Sequence, residues 1–270
     1  VIEAIAEKTG VDFLPLDSFP VEGTHELSRL RVGLYQRFYG GNADEGWTRL
    51  VLEKFELPYL TIKDSDIKSG QLSKKIDLLI LPADSTSTIM GEFPESSRRY
   101  ANVPPEYRSS LGKDGLEKLK DFVNRGGILV CLGSAGNFAI EKFDLQLRNI
   151  VAGLDSKEFF CPGSTLKATF NNEHPLAYGL PEKGLVLFYG SPAFEILPGS
   201  ESEKYRVVVR YEPRDLLQSG WLIGEKYLSR AAAMVEADYG QGQIVLIGLK
   251  AQNRAQTHGT FKLLFNTFIR

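Results

Sequence analysis

The segment Leu132-Gly133-Ser134-Ala135-Gly136 is where this chain of 270 residues is best placed to do chemistry. It follows an apolar run, Ile128-Leu129-Val130-Cys131-Leu132, and leads into a helical pattern from Asn137 to Phe143. A strand that turns directly into a helix through small residues makes a tight corner. The corner pushes its central side chain out over the sheet edge and brings helix N-terminal amides close to it. Such a corner is a nucleophile elbow, with Ser134 at its centre between Gly133 and Ala135. The same residues also read as an ordinary strand-to-helix turn in which Ser134 caps the helix. Spacing alone leaves both readings open. The two cysteines, Cys131 and Cys161, could form at most one disulfide. Cys131 lies inside the apolar run, and both read as buried thiols behaving as small hydrophobes.

The elements that must position this corner alternate along the chain. Arg31-Val32-Gly33-Leu34-Tyr35 is a short apolar strand and Phe38 to Gly46 a polar, glycine-rich loop. A helix over Trp47 to Phe55 follows, with Trp47, Leu50 and Val51 on one face. Further strands are expected at 59–62, 77–81, 128–132 and 244–249. The continuously apolar ones are those of a parallel sheet covered by helices on both faces. Residues 84–111, with Pro94, Pro104 and Pro105, form an irregular stretch of the length that functional loops have. Gly112 to Asn124 reads as a helix ended by Arg125-Gly126-Gly127, and Thr260 to Ile269 as a closing helix.

Residues about 165–240 are richer in strands, and residues 1–30, helical at first and then carrying Pro15, Pro20 and Gly23, read as a lead-in segment or interdomain linker. The expected architecture is one α/β domain over 31–270, a mainly parallel sheet with helices on both faces plus a β-rich insertion or extension. Ser134 and the loop 252–254 should meet at the carboxyl edge of that sheet, where open α/β sheets bind ligands.

Composition removes several function classes. With 32 basic and 34 acidic residues the net charge is -2, and no long block of one sign attracts nucleic acid or an anionic membrane. No apolar stretch approaches the ~18 residues of a membrane span, and no charged-then-apolar leader is present. A start at Val1 fits a mature form, a processed piece or a fragment.

The elbow resembles that of the class I glutamine amidotransferase-like superfamily, in which a strand, a cysteine, small residues and a helix follow one another. The resemblance puts Ser134 at the nucleophile position, because Cys131 falls three residues early. The family's His-Pro-Glu segment follows the last strand. In Ile247-Gly248-Leu249-Lys250-Ala251-Gln252-Asn253-Arg254, Gln252 stands in for the histidine and Arg254 for the glutamate. A glutamine amide does not titrate near neutral pH and cannot act as a general base. Some relatives hold a glutamate above the elbow, about where Glu45 stands; Asp44 and Glu45 also read as first-turn acids favoured by the helix dipole.

A closer likeness lies in Asp44-Glu45-Gly46-Trp47-Thr48-Arg49 with Val51-Leu52-Glu53, in His174-Pro175-Leu176-Ala177-Tyr178-Gly179-Leu180, and in Gly220-Trp221-Leu222 with Gly224. It continues in Tyr239-Gly240-Gln241-Gly242 and in the long stretch from Arg254 to Asn266. These are similar to the amidotransferase-like domain attached C-terminally to zinc carboxypeptidases of the carboxypeptidase A type and to their inactive relatives. The resemblance implies a flavodoxin-like sheet, a covalently linked carboxypeptidase-like domain as partner, and a secreted or periplasmic setting. It places zinc only in that missing catalytic domain, with no cofactor in this chain.

Carboxypeptidases of that type hold zinc through His-x-x-Glu and a distant histidine. None of His25, His174 and His258 begins such a motif; Glu22 and His25 have the reversed spacing in a proline-flanked linker. His174 before Pro175 should end a strand and bond backbone, and His258 should either cap the final helix or serve catalysis.

The function expected is a noncatalytic accessory domain, a scaffold or a binder of a small molecule or peptide, with Gly133, Ser134, Ala135, Glu45, Gln252 and Arg254 as the ligand-facing residues. The alternatives are a Ser134-dependent hydrolase using Glu45 and His258, and a carbohydrate- or peptide-binding module using Tyr189, Tyr211 and Trp221.

Overall fold

In the computed structural model, residues 1–18, 28–38, 41–92, 103–104, 107–108, 110–199 and 201–269 are described. Glu22 and His25 lie outside them, as does much of the irregular stretch after Asp84.

The first half alternates strands and helices: α1 (Ile2–Thr9), β1 (Val32–Tyr35), α2 (Ala43–Lys54), β2 (Tyr59–Ile62), α3 (Asp64–Lys68), α4 (Leu72–Lys75), β3 (Leu78–Leu81), α5 (Thr86–Met90), α6 (Gly112–Asn124), β4 (Ile128–Leu132) and α7 (Ala135–Lys142). The second half is mostly strand: β5 (Leu147–Asn149), β6 (Ser164–Phe170), β7 (Lys183–Phe188), β8 (Phe194–Ile196), β9 (Tyr205–Tyr211) and β10 (Leu217–Ser219). Then come α8 (Glu225–Leu228), β11 (Ala232–Tyr239), β12 (Gly242–Ile247) and α9 (Phe261–Phe265).

Strands β2, β1, β3, β4 and β12 lie side by side and parallel, which places the five strands expected from their apolar runs in one sheet. The β-rich part is not a separate layer. It continues the same 12-stranded sheet through β11, β9, β6 and β10, with antiparallel pairing from β12 onward.

Successive strand residues enter opposite faces, which is why the central strands carry no polar alternation. Leu78, Ile80, Val130 and Val245 pack on one side with Leu52 of α2 and Leu263 of α9. Leu79, Leu81, Leu129, Cys131 and Leu246 pack on the other with Leu119 and Phe122 of α6 and Phe138 of α7. In the lead-in segment α1 buries no residue, and Phe13, Leu14 and Leu16 beyond it are exposed. The expected closing helix is shorter than its pattern: a 3₁₀ turn at His258–Thr260, α9, and a second 3₁₀ turn at Asn266–Phe268.

Candidate functional site

At the carboxyl end of β4 the chain turns at Gly133, whose φ is +50°, and enters α7. Ser134 already has helical angles, φ -62° and ψ -18°, and its hydroxyl caps no amide of α7. The left-handed corner residue is therefore Gly133, one position before the serine that spacing puts at the centre. A side chain on Gly133 would be crowded, since a Cβ built there lies 3.1 Å from Nζ of Lys250 and 3.1 Å from Cβ of Ala83.

Lys250 reaches this corner from the loop after β12. Its ammonium is 3.6 Å from Oδ1 of Asp44, with the two side chains only 11% and 7% exposed. Asp44 is positioned by the start of α2, where Asn42 caps the helix by accepting from the amides of Asp44 and Glu45. Its Oδ2 accepts from the Ala83 amide at 2.9 Å, tying α2 to the end of β3. The Asp44 carboxylate thus faces both the positive end of a helix and an ammonium beside the corner.

Gln252 is also turned inward and is 2% exposed. Its Nε2 donates to Oγ1 of Thr48 at 3.1 Å, and that hydroxyl donates to the Asp44 carbonyl at 2.7 Å. Lys250 and Asp44 bring the start of the loop after β12 to Gly133. Lys250 pairs with Asp44 there, and Gln252 bonds to Thr48.

The remaining residues singled out from sequence stand elsewhere. Glu45 faces β2: its Oε1 accepts from Nε of Arg49 at 3.0 Å and from Nη2 of the same guanidinium. Arg49 in turn lies over the Tyr59 ring and donates to the Tyr59 hydroxyl at 2.7 Å. Glu45 lines a small cavity of about 230 Å³ together with Tyr35, Gln36, Asn42 and Lys63. Arg254 is exposed, with φ +53°. His258 is exposed too, its ring 4.9 Å from that of Phe261. Ser134 consequently has neither Glu45 nor His258 as a hydrogen-bond partner.

Cys131 is fully buried in β4, where desolvation pushes its thiol well above the ordinary range, and Cys161 is likewise buried and raised. Both are free thiols. Of the aromatic residues in the strand-rich half, Tyr211 is 1% exposed and belongs to the core, which removes it from any binding surface. Tyr189 and Trp221 are exposed at 53% and 62%.

His174 caps the 3₁₀ turn Pro175–Ala177. Its Nδ1 accepts from the Leu176 amide at 3.3 Å, so Nε2 carries the proton it shares with Glu236 at 3.1 Å. Burial works to raise the Glu236 pKa, but hydrogen bonds from His174 and Arg206 outweigh it and hold the carboxyl below its ordinary value. This buried network joins β9 and β11 to the segment before β7 and serves packing. Among the described residues no group of three His, Cys, Asp or Glu side chains is arranged to hold a metal ion, and no helix is long and apolar enough to cross a membrane.

Sequence reasoning missed Lys250 and the partnership of Asp44 with it. The one available signal was a lysine directly after an apolar strand, at a point where the chain must cross the sheet edge.

No family model matches this chain, and no curated protein does. Solved structures do. One, described as a ThuA-like protein from Bacteroides uniformis, superposes with a TM-score of 0.50 at 13% identity, covering 93% of this chain and 94% of its own. A cytoplasmic protein from Salmonella typhimurium gives 0.53 at 14% identity, covering 88% of this chain and 98% of its own. A Thermoplasma acidophilum protein described as part of a GMP synthase gives 0.52 at 10% identity, covering 90% of this chain and 94% of its own. At such identities the likeness is one of fold: the chain shares the flavodoxin-like α/β architecture of these structures, the ThuA-like protein among them.

Proposed function

We propose that this chain is a noncatalytic domain of amidotransferase-like fold, serving as a scaffold or ligand-binding accessory to a zinc carboxypeptidase-like protein. The observation that carries the noncatalytic part is the Lys250 ammonium. It lies 3.1 Å from where a side chain on Gly133 would begin, and it is paired with Asp44. A nucleophile at an elbow must be exposed to substrate and must have a base within hydrogen-bond reach. Here the corner residue is glycine, no base hydrogen-bonds the adjacent serine among the described residues, and the loop that supplies histidine and glutamate in amidotransferases supplies a buried Gln252 and an exposed Arg254.

The accessory role draws support from the exposed apolar side chains of Phe13, Leu14 and Leu16, which offer surface to a neighbouring domain. The link to carboxypeptidases rests on the sequence stretches that resemble that branch. On this reading zinc belongs to the linked domain, and the parent gene should encode His-x-x-Glu and a second histidine ahead of this region.

The noncatalytic reading is tested by incubating the folded chain with a fluorophosphonate and mapping any adduct by mass spectrometry. The expected outcome is no label on Ser134 above that of a Ser134→Ala control. Stoichiometric labelling of Ser134 would establish an activated serine and refute the reading.

A further inference from the structure

Beyond β12, on the strand-rich side of the molecule, β8, β9 and β11 form the floor of a groove of about 730 Å³. Ala232 at the start of β11 pairs with both Phe194 of β8 and Arg210 of β9, so the groove opens where these three strands meet. Its floor is apolar, made by Phe194, Ile196, Val207 and Ala232. Its walls are cationic: Arg148, Arg210, Lys226 and Arg230 stand against the single carboxylate of Glu195, and Arg148 already holds that one. Arg210, Lys226 and Arg230 have no salt-bridge partner among the described residues. In a chain whose net charge is -2, three unpaired cations around one apolar floor form a local concentration of positive potential.

The backbone there is also held in an unusual conformation. Arg230 has φ +60°, a region that side-chain-bearing residues rarely adopt. In that conformation its carbonyl accepts from Nη1 of Arg210 at 2.5 Å, and its neighbour Ala231 accepts from the Tyr211 amide at 2.9 Å. The arrangement anchors the Arg210 guanidinium on the backbone of Arg230, and both residues line the groove. Lys226 completes the wall, its ammonium 5.0 Å above the Tyr227 ring.

We propose that this groove is a binding site for a small organic anion, a phosphate or carboxylate group carried on an apolar body. The anionic group would be met by Arg210, Lys226 and Arg230, with charge-assisted hydrogen bonds from the guanidinium forks, while the apolar body covers Ile196 and Val207. The site is independent of the corner at Gly133 and holds whether or not the chain catalyses anything.

Phenyl phosphate and phenylacetate serve as probes of the two anion types, benzyl alcohol as the uncharged control and inorganic phosphate as the anion without an apolar body. All are titrated calorimetrically at low ionic strength, where exposed charges are least screened. Arg230→Gly and Lys226→Gln are the variants of choice, since glycine accepts the positive φ without strain and Lys226 is exposed. Lys183→Gln, on a different groove, is the control.

The expected result is saturable binding of one aryl anion per chain, tighter than inorganic phosphate, with no binding of benzyl alcohol. Whichever of phenyl phosphate and phenylacetate binds more tightly identifies the anion type. Each groove variant should weaken it about threefold and the double variant about tenfold or more, a loss of one charged contact each. Lys183→Gln should leave it unchanged. Absence of saturation up to about 10 mM for both aryl anions, or a double variant that keeps its fold and binds within twofold of the parent, would overturn the proposal.

Discussion

A Gly242→Ala chain is expected to lose cooperative folding, or at least about 4 kcal/mol of stability, the range reserved for disruption of a packed backbone. The reason is geometric. A Cβ on Gly242 would lie 2.2 Å from the carbonyl oxygens of both Gly127 and Val123, which are backbone atoms at the end of α6 and cannot swing away. The hairpin Tyr239-Gly240-Gln241-Gly242 between β11 and β12 docks against that helix end. It does so through a bond from the Gln241 amide to the Asn124 carbonyl at 2.9 Å and another from the Gln243 amide to the Gly127 carbonyl at 3.2 Å. Relieving the collision means breaking those bonds and separating α6 from β12, the strand that joins the parallel and antiparallel halves of the sheet. Gly259→Ala is the matching control. A Cβ at Gly259 meets nothing within 4 Å, and its cost should stay within about 0.5 kcal/mol. Chemical denaturation monitored by circular dichroism reads both.

Lys250→Ala should cost about 3 kcal/mol, because removing one member of a buried ion pair leaves the other charged and unsolvated. Among the described residues Asp44 would keep only the Ala83 amide as its partner, in a site where its side chain is 7% exposed. For a chain of this size such a loss lowers the midpoint of thermal unfolding by roughly 6–12 °C. Adding Asp44→Asn to Lys250→Ala should return most of the loss, since a neutral amide needs no counter-charge. If Lys250→Ala unfolds within about 1 °C of the parent, the pair is not a structural element.

These two sites show what the chain reveals before it is folded and what it withholds. The central strands were legible because residues such as Leu78, Leu79, Ile80 and Leu81 must all be apolar when both faces of a sheet are covered, and the structure buries all four. The end of α6 at Asn124 was legible too, because Gly126-Gly127 cannot continue a helix. The corner was found but misplaced by one residue. Small side chains mark a tight turn, yet only the backbone angles say that Gly133 and not Ser134 makes it. Tyr239-Gly240-Gln241-Gly242, noticed as a family-like stretch, proves to be a packing joint.

Lys250, Asp44 and the bond from Gln252 to Thr48 were hidden for a different reason. Thr48 and Gln252 are 204 positions apart in sequence, and no local pattern signals that a helix after the first strand and a loop after the last will share one buried polar cluster. The cationic groove was hidden in the same way, its residues drawn from separate strands and loops.

Whether Lys250 crowds the place a corner side chain would take is tested most directly by a double-mutant cycle between Gly133→Ala and Lys250→Ala, with stability measured by denaturant unfolding. Alanine at the positive φ of Gly133 costs about 1 kcal/mol in either background. The crowding by Nζ at 3.1 Å exists only while the lysine is present and tied to Asp44. Gly133→Ala should therefore cost about 1 kcal/mol more in the parent chain than in the Lys250→Ala chain, within the coupling expected of residues in contact. Additivity within about 0.3 kcal/mol would contradict that placement of Lys250 and reopen the corner to a side chain that could act as a nucleophile.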